Sequence, residues 1–199
     1  MFGAYILLFQ SHTEFTHFLW KQQIQPGKTV LDATAGRGLD TLFLAKLLFP
    51  NSSSRLIALD IQKDAIEATQ SRLKTEGLLD GNNIEIIQQS HSDLRLFLKP
   101  NEASLITYNL GYLPGGNKSI TTLLDSTKSS LISAKECLEE SGMISITFYP
   151  GHPAGFIEKD MLIPWIFEWD PKAWAISRHS FALRESSPSV VIAQRKCEQ

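Results

Sequence analysis

The sequence predicts an α/β fold: a mostly parallel seven-stranded sheet, helices on both faces, and a C-terminal antiparallel hairpin. Three observations predict it. Seven short runs rich in β-branched residues recur along the chain, segments of helical period separate the first five, and the last two runs follow each other with no helical pattern between them.

The elements follow in order. Residues 1–27 form an N-terminal helical segment that packs on the rest. Its opening MFGAYILLFQ is apolar but has no cationic leader region and is shorter than the roughly 20 residues that cross a bilayer, so it reads as a buried segment. In the following SHTEFTHFLW, His12 and His17 read as the polar face of a helix. The strands are KTVLDA from Lys28, SRLIALDI from Ser54, NIEIIQQ from Asn83, ASLITYNL from Ala103, GMISITFY from Gly142, AWAISRHSF from Ala173 and SVVIAQR from Ser189. Helical patterns run from Leu39 to Phe49, from Lys63 to Glu76, briefly from Asp93 to Leu98, and from Ile120 to Glu140. The last puts Leu123, Leu124, Thr127, Leu131, Ala134 and Leu138 on one face. Trp165, Trp169 and Trp174 pack the terminal helix and hairpin, since large aromatics are core by default. No repeat or linker divides the chain, so residues 1–199 are expected to form a single domain.

Composition narrows the function. With 199 residues, 43% of them hydrophobic, and a formal net charge of -2, the chain can bury a full core but lacks the electrostatic footprint of a protein that coats nucleic acid. Lys118, Lys128 and Lys135 are either solvated or a local track for phosphates. Cys137 and Cys197 have neither metal-ligand spacing nor histidine companions, so no metal is expected and a reducing, cytoplasmic setting away from membranes fits best.

In parallel sheets, function gathers where strands end at their C-terminal edge. After the first strand, VLDATAGRGLDT places Gly36 and Gly38 in a tight turn between Asp32 and Asp40. The third glycine of a dinucleotide fingerprint is replaced by Thr41, and two carboxylates would repel a pyrophosphate, so the turn suits a cationic ligand better than a phosphate. Asp60 ends the second strand, where a carboxylate can accept ribose hydroxyls. Ser90, His91 and Asp93 follow the third, beside the place of an adenine ring. Asn109 ends the fourth, and the turn-rich loop after it carries Tyr112 and Pro114. A side-chain amide there can accept from an amine, while the aromatic face holds a flat base.

These features together resemble class I S-adenosylmethionine-dependent methyltransferases, which have a Rossmann-like fold. DATAGRGLDTLFLA, NLGYLPGGNKSITT and YPGHPAG, in that order, resemble the bacterial family labelled rRNA methylases, which includes the tRNA 5-aminomethyl-2-thiouridine methyltransferase. The family's glycine loop reads G-N-G-H-D, where this chain has Arg37 and Leu39 in place of Asn and His. Near the end, LRESSPSVV keeps only Pro188 of an Asn- and Pro-rich stretch. The resemblance implies S-adenosylmethionine as cofactor, held by Asp32, Gly36, Gly38, Asp40, Thr41, Asp60, Gln62, Ser90 and His91. It implies methyl transfer to the primary amine of 5-aminomethyl-(2-thio)uridine at the tRNA wobble position. Asn109 would position the amine, Tyr112 would line its pocket, and His152 would accept the released proton or orient the substrate. The partner would be the anticodon region of tRNA, and a homodimer would double the surface available to it. Methylation of another RNA nucleoside or of a small metabolite stays open, as does a nucleotide-binding module or a nicotinamide-dependent oxidoreductase.

Overall fold

The computed structural model describes residues 11–49, 53–113, 115–116, 120–180 and 187–197. The opening decapeptide, Pro114 and Lys118 lie outside them. The described residues contain seven strands: β1 (Thr29–Asp32), β2 (Arg55–Asp60), β3 (Ile84–Gln88), β4 (Ala103–Leu110), β5 (Leu138–Phe148), β6 (Trp174–Ser180) and β7 (Ser189–Arg195). They form one sheet in the order β3-β2-β1-β4-β5-β7-β6. All neighbouring pairs are parallel except those of β7, which runs antiparallel to both β5 and β6, as the missing helix between the last two runs requires.

Helices α1 (His12–Gln23), α2 (Leu39–Leu48) and α3 (Lys63–Thr75) cover one face, and α4 (Leu124–Cys137) and α5 (Pro153–Phe167) cover the other, with a 3-10 turn at Leu94–Leu96. Side chains alternate across a strand, and each strand therefore feeds two cores. Val30, Leu56 and Leu105 pack with Trp20, Leu44, Leu48 and Leu73 on the first face. Their neighbours Leu31, Ile57 and Ile106 pack with Leu131, Ala134, Ile163 and Ile166 on the second. Strands buried on both faces are dominated by apolar residues, with a few buried polar ones such as Ser104 and Thr107, which is why these runs lack a polar alternation.

Two local expectations need correction. Leu123 precedes α4 and is 62% exposed, while Leu138 is already in β5; Thr127, Leu131 and Ala134 do form the buried face. The other concerns Lys128 and Lys135, whose ammonium groups sit 5.1 Å over Trp165 and 4.7 Å over Trp169. These cations cap the aromatic cluster that Trp165, Trp169 and Trp174 build by edge contacts at 5.6 and 5.0 Å, which weakens the phosphate-track reading.

The topology also fixes where a ligand can enter. From β1 the chain moves outward through β2 to β3, then returns to place β4 on the other side of β1. The strand order reverses there, and the loops leaving β1 and β4 diverge and leave a crevice above their C-terminal ends.

Candidate active site

The crevice is drawn together by backbone contacts. After β1, Ala33 N–H donates to the Thr107 carbonyl at 2.9 Å and Ala35 N–H to the Leu59 carbonyl at 2.8 Å, so the glycine turn is held between β4 and β2. Thr34 Oγ1 accepts from Asn109 N–H at 2.7 Å and locks the ends of β1 and β4 together. The loop after β4 folds back on itself through a bridge between Tyr112 and Thr121 and a bond from Thr122 N–H to the Gly111 carbonyl at 3.0 Å. Buried Glu158 of α5 anchors that loop, accepting from Thr122 Oγ1 and, at 2.8 Å, from Thr127 Oγ1. Burial pushes the Glu158 carboxyl above its ordinary value, against those hydroxyl bonds.

Two cavities open from the crevice and share Thr34, Gly36, Asn109, Gly111 and Tyr112. The smaller, about 240 Å³, has Asp60, Gln62, Ser90 and His91 in its wall. Asp60 accepts from Gly36 N–H at 3.0 Å and from Gln62 N–H at 2.9 Å. Burial raises its pKa and these backbone bonds hold it back, so a carboxylate with lone pairs to spare sits at the cavity edge. His91 is buried, its imidazole held down at about 4 by desolvation, with a backbone hydrogen bond at Ala33 opposing the shift. Its Nε2 has no partner among the described residues, so a neutral ring carries an acceptor free of them in this wall.

The larger cavity, about 890 Å³, is lined by His17, Arg37, Leu39, Asp40, Leu42, Phe43, Tyr149 and His152, among others. Asp40 sits in the first turn of α2 and joins two distant segments. Its Oδ1 accepts from His17 Nε2 at 2.7 Å, and its Oδ2 from Asn109 Nδ2 at 2.8 Å. The Tyr149 hydroxyl stands 3.4 Å from Asn109 Oδ1 and 3.0 Å from His12 Nε2. Burial pushes the Tyr149 phenol up, so it stays a neutral donor. The same burial lowers His12. Sequence reasoning missed His12, His17 and Tyr149. Tyr149 follows the C-terminal end of β5, so the strand-end rule that singled out Asp60 and Asn109 was sufficient to find it.

Three of the expected cofactor residues border neither cavity. Asp32 is fully buried; its Oδ2 accepts from Thr41 Oγ1 at 2.6 Å and its Oδ1 from Thr34 N–H at 3.2 Å. Asp32 and Thr41 therefore brace the glycine turn from beneath. Gly38 adopts a left-handed conformation, φ 74°, and faces Thr69 of α3. Only Gly36 of the pair lies on the cavities. His152 also departs from expectation. It caps the N-terminus of α5, its Nδ1 accepting from Gly155 N–H at 3.1 Å. In the neutral ring the proton then resides on Nε2, which leaves no basic nitrogen to receive one from a substrate. An orienting role is compatible with its place in the larger cavity and its edge contact with Tyr112 at 5.1 Å.

Asp32 yields a test of this buried turn. Desolvation, aided by the nearby Asp40 and Asp60 charges, raises its pKa to about 7. A carboxyl whose folded value is raised stabilises fully below its unfolded value of about 4, and that contribution is lost as pH rises through the folded value. The melting temperature of the wild type relative to Asp32→Asn should therefore fall between about pH 4 and 7 and level off above. A flat difference across thermal melts in that window would place Asp32 in contact with water.

Among the described residues no helix is long and apolar enough to cross a membrane, and no group of three or more His, Cys, Asp or Glu side chains is placed to hold a metal ion. The chain is 40% identical over 167 residues to the tRNA (mnm(5)s(2)U34)-methyltransferase, chloroplastic, of Arabidopsis thaliana. That alignment covers 81% of this chain but only 61% of the relative. A crystal structure described as a "putative rRNA-methylase" from Clostridium thermocellum superposes with a TM-score of 0.88 at 30% identity, covering 94% of this chain and 98% of that one. SMU.1697c of Streptococcus mutans, described as a "putative methyltransferase" and solved in complex with SAH, has the same fold, with a TM-score of 0.82 at 24% identity over 94% of this chain and 99% of that one. Residues 56–195 match the family described as "Putative rRNA methylase", and the chain belongs to that family.

Proposed function

We propose that the chain is an S-adenosylmethionine-dependent N-methyltransferase that methylates the amine of 5-aminomethyl-(2-thio)uridine at the tRNA wobble position. One observation carries the reading: two cavities, one edged by a ribose-type carboxylate and the other by an amide and a carboxylate, meet at Asn109 and Tyr112. The named activity of the Arabidopsis relative supports the same acceptor. The smaller cavity fits the adenosyl part of such a cofactor: Asp60 would accept from the sugar hydroxyls, with Gln62 beside it, while Ser90 and the orphaned Nε2 of His91 would meet the base. When bound, the cofactor supplies an electrophilic methyl group on a sulfonium.

The remaining work falls to this chain's own side chains. An alkyl amine resembles lysine, with a reference pKa of ~10.4, and must lose a proton before its lone pair can react. Desolvation against Tyr112 favours the neutral amine while a neighbouring carboxylate favours the cation, so the substrate docks as the ammonium and releases its proton to water before the lone pair attacks. Asn109 Oδ1 accepts one N–H and fixes the direction of the lone pair. Holding reacting atoms within ~3–3.5 Å contributes several kcal/mol through orientation alone. A reducing, cytoplasmic setting suits the two free cysteines. A homodimer is supported by the exposed apolar residues of α5, Phe156, Ile157, Met161 and Phe167.

Mass spectrometry of tRNA nucleosides from a strain lacking the gene should show loss of 5-methylaminomethyl uridines and accumulation of the aminomethyl precursor. Unchanged nucleosides would sink the assignment. For the cofactor cavity, Asp60→Ala should weaken S-adenosylhomocysteine binding about tenfold to a hundredfold by calorimetry, the loss of one or two charge-assisted hydrogen bonds. Wild-type affinity in that variant would move the sugar elsewhere.

A further inference from the structure

We propose that Asp40, oriented by His17, is the anchor for the acceptor's positive charge: the larger cavity binds a primary alkylammonium carried by a nucleoside, and Asp40 is the group that recognises it. The proposal rests on the amine-acceptor reading above and assigns within it a residue that the glycine-turn motif had placed with the cofactor.

The geometry supports this in three steps. Asp40 is the sole carboxylate among the described residues lining the larger cavity, and it does not line the smaller one. Its side chain is 19% exposed, enough to meet a ligand while remaining largely out of water. Each carboxylate oxygen has two acceptor positions. His17 occupies one on Oδ1 and Asn109 one on Oδ2, so one remains on each.

The second step concerns the amide. A carboxylate can only accept, so Asp40 forces Asn109 to turn its NH₂ toward α2 and its Oδ1 the other way, toward Tyr149. Both residues line the cavity, which is therefore bordered by two acceptors, Asn109 Oδ1 and Asp40. An ammonium has three N–H donors and no acceptor, so it can serve both; a hydroxyl has one donor and can serve only one of them, and a carbonyl none.

His17 makes the arrangement rigid. Its ring lies parallel to Phe43, centroids 3.7 Å apart and planes 11° apart, so Nε2 is aimed at Asp40 by packing as well as by the hydrogen bond. His12, five residues earlier on α1, ends the row at Tyr149. Helix α1 thus supplies both ends of a continuous chain, His12, Tyr149, Asn109, Asp40 and His17, and holds the acceptor groups from outside the matched family region. His17 is a positioning residue, and Asp40 is the one that touches the substrate.

The test measures recognition apart from turnover. Anticodon stem–loop RNAs carrying either 5-aminomethyluridine or its neutral isostere 5-hydroxymethyluridine at the wobble position are titrated by fluorescence anisotropy, with S-adenosylhomocysteine present. The wild type should prefer the amine at least about tenfold, or ~1.4 kcal/mol. Asp40→Asn should reduce the preference to within about twofold with S-adenosylhomocysteine affinity unchanged. His17→Gln, which keeps a donor but loses the ring, should retain about threefold. A full preference in Asp40→Asn overturns the proposal, and so does a parallel loss of S-adenosylhomocysteine affinity, which would return Asp40 to the cofactor. A wild type that binds both RNAs alike overturns this proposal alone. If it binds neither, the wobble-uridine reading fails and takes the proposal with it.

Discussion

Replacing Asn109 by Ala should lower single-turnover methyl transfer by about 10²–10³-fold, the range seen when one preorganised polar group at a reacting centre is removed. S-adenosylhomocysteine affinity should stay within about twofold of wild type. The asymmetry follows from what the residue holds. Its backbone N–H, bonded to Thr34 Oγ1, survives the substitution, so the ends of β1 and β4 stay joined and Asp60 keeps its place at the smaller cavity. What disappears is the amide between Asp40 and the Tyr149 hydroxyl, and with it the acceptor that directs the amine's lone pair. Positioning lost in this way appears in the chemical step more than in binding. Calorimetry and rapid-quench kinetics on the same preparation separate the two. Equal losses in cofactor affinity and in rate would mean that Asn109 serves the cofactor and that the acceptor lies elsewhere.

The centre of the sheet was legible because its inner strands are buried on both faces, unlike the edge strands β3 and β6. Runs such as LIAL and SLIT have no room for polar alternation, and their ends at Asp60 and Asn109 coincide with the crevice. Helix α5 left a much weaker signal. PAGFIEKDMLIPWIF contains Pro164, and its apolar residues surround the axis, Phe156 and Met161 facing outward while Leu162 and Ile166 face the core, so no 3.6-residue period stands out. The local cue was His152 as cap followed by Pro153, an N-terminal signature rather than a catalytic one. The histidines of α1 were illegible for another reason. His17 meets Asp40 from 23 positions away, and His12 meets Tyr149 from 137. Such partners exist only once the chain has folded, and local pattern shows no more than a polar face.

Gly38→Ala should destabilise the protein by about 2–5 kcal/mol, although Gly38 borders neither cavity. Two costs add. A residue with a side chain at φ 74° gives up about 1–2 kcal/mol in the left-handed region. Its Cβ would also fall 2.8 Å from both Cα and Oγ1 of Thr69, where a backbone atom of α3 cannot step aside cheaply, adding about 1–3 kcal/mol of overpacking. The consequence reaches the site, because Thr69 Oγ1 donates to the Gly36 carbonyl at 3.3 Å and Arg72 Nε to the Arg37 carbonyl at 2.9 Å, so α3 pushed outward pulls on the turn. Gly77 supplies the control. It has a similar φ of 68°, but a Cβ added there would meet nothing within 4 Å among the described residues, so Gly77→Ala should cost the conformational part alone. At roughly 2–4 °C per kcal/mol for a chain of this size, Gly38→Ala should melt several degrees below Gly77→Ala in calorimetric scans. Coincident melting temperatures would show that α2 and α3 do not meet at Gly38, and would leave close approach to a bound ligand as the reason for glycine there.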